Sequence, residues 1–143
     1  MFSIVETSWQ KNSTDLSQLR RDVFIHEQQV PEALEWDGLD ESAVHLLAWD
    51  LGAQAIGCAR LLPDYRLGRM AVLHDYRGQG VGMALIQAGL EYAVQANWPQ
   101  ISVSAQTQAI GFYLKAGFVL TGTAEYMDAG IPHRDMCIYL DNL

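Results

Sequence analysis

Apolar and polar positions at the start of the chain predict a strand, a helix and then a hairpin. Partial alternation in FSIVETSW indicates the strand. In TDLSQLRRDVFIHEQ, apolar residues recur at helical spacing, with Thr14 or Asp15 as the N-cap and Pro31 beyond the end. The acidic residues 31–42 are then expected to form a loop. The runs AVHLLAWD and QAIGCARLLPD, separated by a turn over residues 51–53, predict the hairpin.

The second half of the chain predicts the rest of a mixed sheet. RLGRMAVLH is a further strand, and a helix begins at Gly80 and stops before Asn97 and Pro99. ISVSA predicts a strand, AIGFYLKAGF a short helix that closes at Gly117, and FVLTGTAEYM and RDMCIYL two last strands around a turn over residues 128–130. Because hairpins feed into β-α-β units, we expect a single α+β domain over residues 1–143, with parallel and antiparallel pairs in one sheet.

Composition then excludes several classes of protein. Of the 143 residues, 50% are apolar and 18% charged, which is typical of a globular domain with a sizeable core. No apolar run approaches the roughly 20 residues of a membrane helix, and no secretory signal is visible, so we expect a cytoplasmic protein without a membrane partner. Cys58 and Cys137 lie far apart and no histidine pairs with them at ligand spacing, so we expect reduced thiols and no metal site.

The charge is unevenly distributed along the chain. A net charge of −8 argues against nucleic acid as a partner. A first segment, which contains no Lys or Arg, holds Asp22, Glu27, Glu32, Glu35, Asp37, Asp40, Glu41 and Asp50. A second segment holds Arg60, Arg66, Arg69 and Arg77 against Asp64 and Asp75. The basic segment is a candidate site for a small anion, whereas the acidic one either favours a cationic ligand near a cleft or maintains solubility.

Three glycines between a strand and a helix indicate a binding loop in MAVLHDYRGQGVGMAL. The first N–H groups of a helix lack internal partners and its dipole adds positive charge, so this position suits an anion. The P-loop spacing is absent, and the third glycine of the dinucleotide fingerprint would fall at Met83 or Leu85. What fits is Arg77-Gly78-Gln79-Gly80-Val81-Gly82, a [QR]-x-x-G-x-[GA] pattern.

With RMAV before this pattern and AIGFYLKAGF after it, the chain resembles the GNAT superfamily of acyl-CoA-dependent N-acyltransferases. The segments VFIHEQQVPEALEWDGLDESAVHLLA, AQTQAIGFYLKAGF and EYMDAGIPHRDM resemble its small YjcF/ElaA-like branch. The resemblance implies one mixed, twisted sheet of about six to seven strands flanked by helices, in the order β-α-α-β-β-β-α-β-α-β-β. It also implies an N-acetyltransferase with acetyl-CoA as co-substrate.

The resemblance further implies which residues hold this co-substrate. The backbone of the strand end pairs with the pantetheine arm, and the Val72 amide polarises the acyl carbonyl. The loop amides cradle the pyrophosphate, and Tyr113 is the general acid for the CoA thiolate. Gln106 stands where many relatives carry Asn. The whole implied set is Met70, Ala71, Val72, Arg77, Gly78, Gln79, Gly80, Val81, Gly82, Met83, Gln106 and Tyr113.

An amine acceptor must lose a proton before it attacks, and several residues are candidates for the base or for acceptor contacts: His133, Glu27, Glu35 and Asp37. The first hypothesis is direct acetyl transfer to a primary amine of a small molecule or peptide, in a ternary complex and without a covalent acyl-enzyme. A catalytically silent acyl-CoA-binding sensor or interaction domain is the alternative, and transfer of a longer acyl chain is a third hypothesis. A homodimer is compatible with either function.

Overall fold

One mixed eight-stranded sheet organises the computed structural model, which describes residues 1–140. Its order is β1-β2-β3-β4-β5-β8-β6, with β7 paired to β8 beside this path. The strands are β1 Phe2–Thr7, β2 Val44–Asp50, β3 Ala55–Leu62, β4 Arg66–Val72, β5 Gln100–Gln106, β6 Val119–Leu120, β7 Tyr126–Asp128 and β8 Ile131–Tyr139. The helices are α1 Trp9–Arg20, which continues as a π-helix over Arg21–Glu27, α2 Glu32–Glu35, α3 Val81–Gln95 and α4 Ile110–Lys115.

The predicted α+β class and mixed sheet are confirmed. Strands β1 to β4 pair antiparallel, β4 and β5 pair parallel, and β5 pairs antiparallel with β8. The stretch FVLTGTAEYM forms two short strands rather than the one expected. Gly122, at φ +90°, turns the chain between β6 and β7, and both strands then pair with β8. This split raises the strand count to eight.

The first helix begins earlier than the sequence predicts. Ser8 is the N-cap, because its side chain accepts a hydrogen bond from the Lys11 amide at 3.2 Å. A kink follows at Asn12, whose φ of −131° and ψ of 30° are not helical. The prediction of Thr14 or Asp15 as the N-cap is therefore wrong, since the apolar repeat marks only the part of the helix beyond this kink.

The sheet carries an apolar layer on each face. Neighbouring residues of β2 enter different layers, Leu46 packing with α3 and Leu47 with α1, as expected for alternating side chains. Gly89 lets α3 approach closely, since a Cβ there would lie 2.9 Å from the Leu67 side chain. Both cysteines are buried and unbridged. Within residues 1–140, no helix is long and apolar enough to cross a membrane.

Candidate active site

The two central parallel strands separate and open a cleft. Within residues 1–140, strands β4 and β5 pair at one position, where Arg66 lies opposite Ser102 near the start of each strand. Beyond this point β4 carries a β-bulge, with Arg69 and Met70 opposite the single residue Ala59. Arg69 adopts a φ of +46° there. Because a bulge bends and twists its strand, β4 leaves β5, and a cleft of about 710 Å³ lies along their separated ends.

The pairing register directs the backbone of Val72 into this cleft. Val72 lies opposite Gly57, and the next amide, that of Leu73, donates to the Ile56 carbonyl at 2.9 Å. That bond makes Val72 and Gly57 a non-hydrogen-bonded pair, so the N–H and C=O of Val72 point away from β3. The carbonyl accepts from Arg77 Nε at 3.0 Å, whereas no group among residues 1–140 accepts from the Val72 N–H.

A row of unpaired amides follows at the start of α3. Across residues 1–140, the N–H groups from Gly78 to Met83 find no acceptor, and the first helical turn closes only with the bond from Ala84 N to Gly80 O at 3.0 Å. No acidic residue stands in the first turn of α3. Free amides, the helix dipole and the lack of nearby carboxylates in that turn together make a site for an anion.

The three loop glycines serve different purposes. Gly78 and Gly80 have φ of +76° and +87°, and a Cβ on either would point into open space, so their backbone conformation requires glycine. Gly82 has an ordinary φ, and its Cβ would lie 3.2 Å from Phe112 Cζ. Gly82 therefore allows α3 to pack against α4.

Tyr113, on α4, lines the cleft. The side chain is 8% exposed and packs edge-on against Phe112 and Phe118, with ring centroids 5.4 and 5.6 Å away. Burial raises the pKa of Tyr113 to about 12. The phenol is thus protonated at neutral pH, and within the described chain it donates to no other group. It can donate a hydrogen bond to a ligand in the cleft.

His133 enters the same cleft from β8 with one ring nitrogen already engaged. Its Nδ1 lies 2.7 Å from the Ile131 carbonyl oxygen, which can only accept, so Nδ1 carries the proton. In the neutral ring Nε2 then holds a lone pair. The ring stacks on Tyr126 at 5.9 Å, and the Tyr126 hydroxyl donates to Asp135 Oδ1 at 2.6 Å. The imidazole is therefore held in one tautomer and one orientation.

Glu27 and Arg77, predicted separately, form one ion pair across the cleft. The two terminal guanidinium nitrogens of Arg77 donate to the Glu27 carboxylate at 2.6 and 2.7 Å. The hydrogen bonds from Arg77 lower the pKa of Glu27 and raise that of Arg77, against a smaller opposing effect of burial. Glu27 is thus ionised and engaged, and the charge of Arg77 is already balanced.

Glu35 belongs to a largely buried cluster of three arginines and three carboxylates, in which the side chains of Arg69 and Asp37 are about one quarter exposed. Arg20 Nε lies 2.8 Å and Arg69 Nε 2.9 Å from the same Glu35 oxygen, Oε2. Burial alone would raise the pKa of Asp37. Hydrogen bonds from Arg60 outweigh this effect and hold the pKa far below its usual range. The cluster consists of Arg20, Arg60, Arg69, Glu35, Asp37 and Asp40.

The charge segments of the sequence thus largely neutralise each other. Arginines of the predicted basic segment bind carboxylates of the acidic one in this cluster, and Arg66 pairs with Asp64 at 2.8 Å. The acidic stretch is therefore docked on β3 and β4, where it forms one wall of the cleft through Leu34 and Glu35. No three His, Cys, Asp or Glu side chains within residues 1–140 are grouped to hold a metal ion.

Sequence reasoning missed two features of this site. The bulge at Arg69 leaves no signal, because a left-handed φ at arginine is uncommon and no glycine marks it. Gln28 is the second, since its side-chain oxygen accepts from Gln106 Nε2 at 3.0 Å and fixes the amide that stands in place of the usual Asn. These residues are 78 positions apart.

Sequence and structure comparisons agree on one family. The chain matches the acetyltransferase (GNAT) domain over residues 11–140. It is 35% identical to a Bacillus subtilis protein called uncharacterized N-acetyltransferase YjcF, over 85% of this chain and 89% of that protein. An acyl-CoA N-acyltransferase from Pseudomonas aeruginosa superposes with a TM-score of 0.84 at 31% identity, covering 96% and 99% of the two chains. Escherichia coli ElaA superposes with a TM-score of 0.83 at 29% identity, again covering 96% of this chain and 99% of that chain.

The cluster predicts costs of very different size for substitutions of two adjacent arginines. Arg20→Met leaves Glu35 and Asp40 with one arginine each and an uncompensated buried charge, so we expect the free energy of unfolding to fall by about 3–5 kcal/mol. Arg21→Met breaks the exposed pair with Glu32 and the contact of the guanidinium with the Trp36 ring at 5.1 Å, and is expected to cost about 1 kcal/mol. Urea denaturation of both variants measures the difference, and equal losses would contradict a stabilising role for the cluster.

Proposed function

Because the chain belongs to the GNAT family of acyltransferases, in its YjcF/ElaA-like branch, we propose that it transfers an acetyl group from acetyl-CoA to a primary amine. GNAT enzymes use an acyl-CoA and act on amine acceptors, and the proposal adds the acyl group, the acceptor class and direct attack in a ternary complex. One observation carries it. Val72, Gly78 and the residues from Gly80 to Met83 line one cleft, and within residues 1–140 their amides have no acceptor.

The backbone around the cleft fits the two polar parts of acetyl-CoA. The amides from Gly78 to Met83 would hold the pyrophosphate at the positive end of α3. The edge of β4 from Met70 to Val72 has lost its β5 partner and would pair with the amides of the pantetheine arm, as a strand pairs at a sheet edge. Gln106 would contribute its side-chain amide to the same arm.

The Val72 N–H and the Tyr113 hydroxyl would act on the reacting thioester. As the amine attacks, negative charge develops on the carbonyl oxygen, and a fixed N–H donor stabilises it. When the C–S bond breaks, the electron pair stays on sulfur as a thiolate. The pKa of the Tyr113 phenol, about 12, lies far above the pKa of an ordinary thiol, about 8.5. We therefore assign Tyr113 a hydrogen bond to the leaving sulfur, with complete proton transfer left to the solvent.

His133 is the base that the geometry favours over the two glutamates. Glu27 holds Arg77, and Glu35 is shared by Arg20 and Arg69, so neither carboxylate is free to take a proton. The Nε2 lone pair of His133 has no competing donor within residues 1–140. It can accept the proton that the acceptor amine must lose before its nitrogen attacks the acetyl carbon, and the proton released as the amide forms reaches the thiolate through solvent.

A further carboxylate supports a cationic acceptor. In the hairpin of β7 and β8, Asp128 lies opposite Ile131, and Tyr126 lies opposite His133, so Asp128 shares the face on which the imidazole is stacked. Asp128 lines the cleft, and no arginine, lysine or histidine of residues 1–140 pairs with it. The acceptor we propose is therefore an amine that reaches the cleft as its ammonium form.

The experiment that tests this function is thiol release from acetyl-CoA in the presence of a panel of amines. The panel contains monoamines, diamines, polyamines, amino sugars and lysine peptides, with alcohols of matched size as controls. We expect turnover with at least one primary amine and none with the alcohols. Saturable acetyl-CoA binding without turnover on any amine would instead support the acyl-CoA sensor, and faster release from longer acyl-CoAs would contradict the acetyl assignment.

The cradle itself is tested by two glycine substitutions with the same backbone strain. Gly80→Val is expected to lower CoA affinity at least about 100-fold by calorimetry, because the first amides of α3 can no longer keep their orientation. Gly122→Val is the control, since Gly122 also has a positive φ and open space at its Cβ but lies between β6 and β7. Equal losses in both variants would show a general effect of strain instead of a role in CoA binding.

Tyr113→Phe is expected to lower kcat about 100-fold while CoA affinity stays within a few-fold, because the missing hydroxyl acts on the thiolate and not on the bound thioester. Tyr92→Phe is the matched control, as Tyr92 lies on α3 and packs against Trp98. With a pKa of about 12, Tyr113 should cause no loss of rate between pH 6 and about pH 10. A fully active phenylalanine variant would remove Tyr113 from the mechanism.

His133→Gln is expected to lower kcat/KM for the amine at least about 100-fold while CoA affinity stays within a few-fold, because the variant lacks the basic Nε2 that would take the proton from the amine. His74→Gln is the control, because the His74 side chain is 81% exposed. Rates are measured at limiting amine, and CoA affinity by calorimetry. A glutamine variant with the wild-type kcat/KM would assign the base to another group.

A further inference from the structure

Glu27 and Arg77 form a structural link between the pyrophosphate loop and the reacting end of β4. We infer that this ion pair positions Val72, so that Arg77 acts on the acyl group through the strand and not on the pyrophosphate through its charge. The inference rests on the proposed function, because it assigns a positioning role within the same site. Glu27, a candidate base from the sequence, and Arg77, a candidate pyrophosphate contact, then share this one positioning role.

All three guanidinium nitrogens of Arg77 are engaged in this link. The two terminal nitrogens donate to the two Glu27 oxygens at 2.6 and 2.7 Å, and Nε donates to the Val72 carbonyl at 3.0 Å. A planar guanidinium suits such a two-sided contact, whereas the single ammonium of lysine cannot reproduce it. Glu27 ends the π-helix and Arg77 follows a 3-10 turn over His74–Tyr76, so the link joins two separate elements.

The link compensates for the missing strand partner of Val72. In a continuous sheet, an N–H of β5 would donate to the Val72 carbonyl, but β5 has diverged after the bulge at Arg69. Arg77 Nε supplies that donor instead. Together with the bond from Leu73 N to Ile56 O, it fixes the backbone on both sides of Val72 and keeps its free N–H directed into the cleft. Glu27 in turn fixes the guanidinium.

The protonation state of Glu27 is consistent with this role. Its pKa is lowered chiefly by the hydrogen bonds from Arg77, so the carboxylate is ionised at neutral pH. An ionised carboxylate that already binds both terminal nitrogens holds Arg77 away from a second anion. Arg77 is about two-fifths exposed, so it could reach solvent if Glu27 released it.

The test compares the affinities of acetyl-CoA and of CoA, since only acetyl-CoA has a carbonyl that accepts from the Val72 N–H. For the wild-type protein we expect calorimetry to give about 3- to 10-fold tighter binding of acetyl-CoA, the effect of one hydrogen bond. In Glu27→Gln and in Arg77→Lys this preference is expected to fall to about one, while the affinity for CoA stays within about twofold. The double variant should lose no more than either single one.

Kinetics with the amine that is turned over give the second readout. Both variants are expected to lower kcat about 10-fold with little change in KM for acetyl-CoA, whereas a merely unfolded fraction would leave the acetyl-CoA preference intact. Glu32→Gln is the control, because it breaks the ion pair with Arg21 on the surface and should preserve the preference.

Three results would overturn the inference. If Arg77→Lys or Arg77→Gln weakens CoA and acetyl-CoA equally, Arg77 is a pyrophosphate ligand. If Glu27→Gln tightens both, Glu27 only competes for a phosphate-binding arginine. If the variants keep the full preference, the link does not position Val72. A wild-type protein that binds neither compound would refute the proposed function, and with it this role.

Discussion

The separation of β4 from β5 is the constraint on which the site depends. It exposes the backbone of β4, leaves the Val72 N–H without a partner among residues 1–140 and creates the cleft that Tyr113 and His133 line. The separation begins at Arg69, whose left-handed φ of +46° costs about 1–3 kcal/mol for a residue with a side chain. A strand with this strain persists only where surrounding contacts fix it.

The buried ion-pair cluster supplies those contacts. Arg69 extends from the bulge and binds Glu35 and Asp37, which lie in the acidic segment. Arg20 and Arg60 hold the same carboxylates from α1 and β3. The uneven charge of the sequence therefore has a structural meaning. The acidic segment is bound to the sheet by arginines beside the bulge, and the ion pairs that dock this wall of the cleft also hold the conformation that opens it.

Local signals predicted much of the fold and the position of the glycine loop before α3. The glycines before α3 could be identified because a strand, a left-handed turn and a helix start fall within a few residues. The start of α1 was misplaced because Ser8 precedes a single turn and a kink that interrupt the apolar repeat. The split of β6 and β7 was missed because Gly122 lies inside a run that otherwise resembles one strand.

Contacts between distant residues could not be predicted in this way. Glu27 and Arg77 are 50 positions apart, and Arg69 and Glu35 are 34 apart. Each of these side chains has an ordinary surface role in most proteins, so nothing in the sequence pairs them. The sequence does not reveal the register of β3 and β4 either. A shift of one residue would turn the Val72 N–H toward β3. The site therefore needed the structure for its electrostatics and for the direction of one amide.

An NMR titration of ¹⁵N-labelled protein with acetyl-CoA tests directly whether these backbone amides bind the co-substrate. We expect saturable shifts that are largest at the amides of Val72 and of Gly78 to Met83, with the Val72 shift much reduced when CoA replaces acetyl-CoA. The second cavity, beside His74 and Asp75 on the other side of Glu27, provides an internal comparison. Shifts centred on that second cavity, or a Val72 amide that does not respond to acetyl-CoA, would show that the co-substrate does not bind at the end of β4.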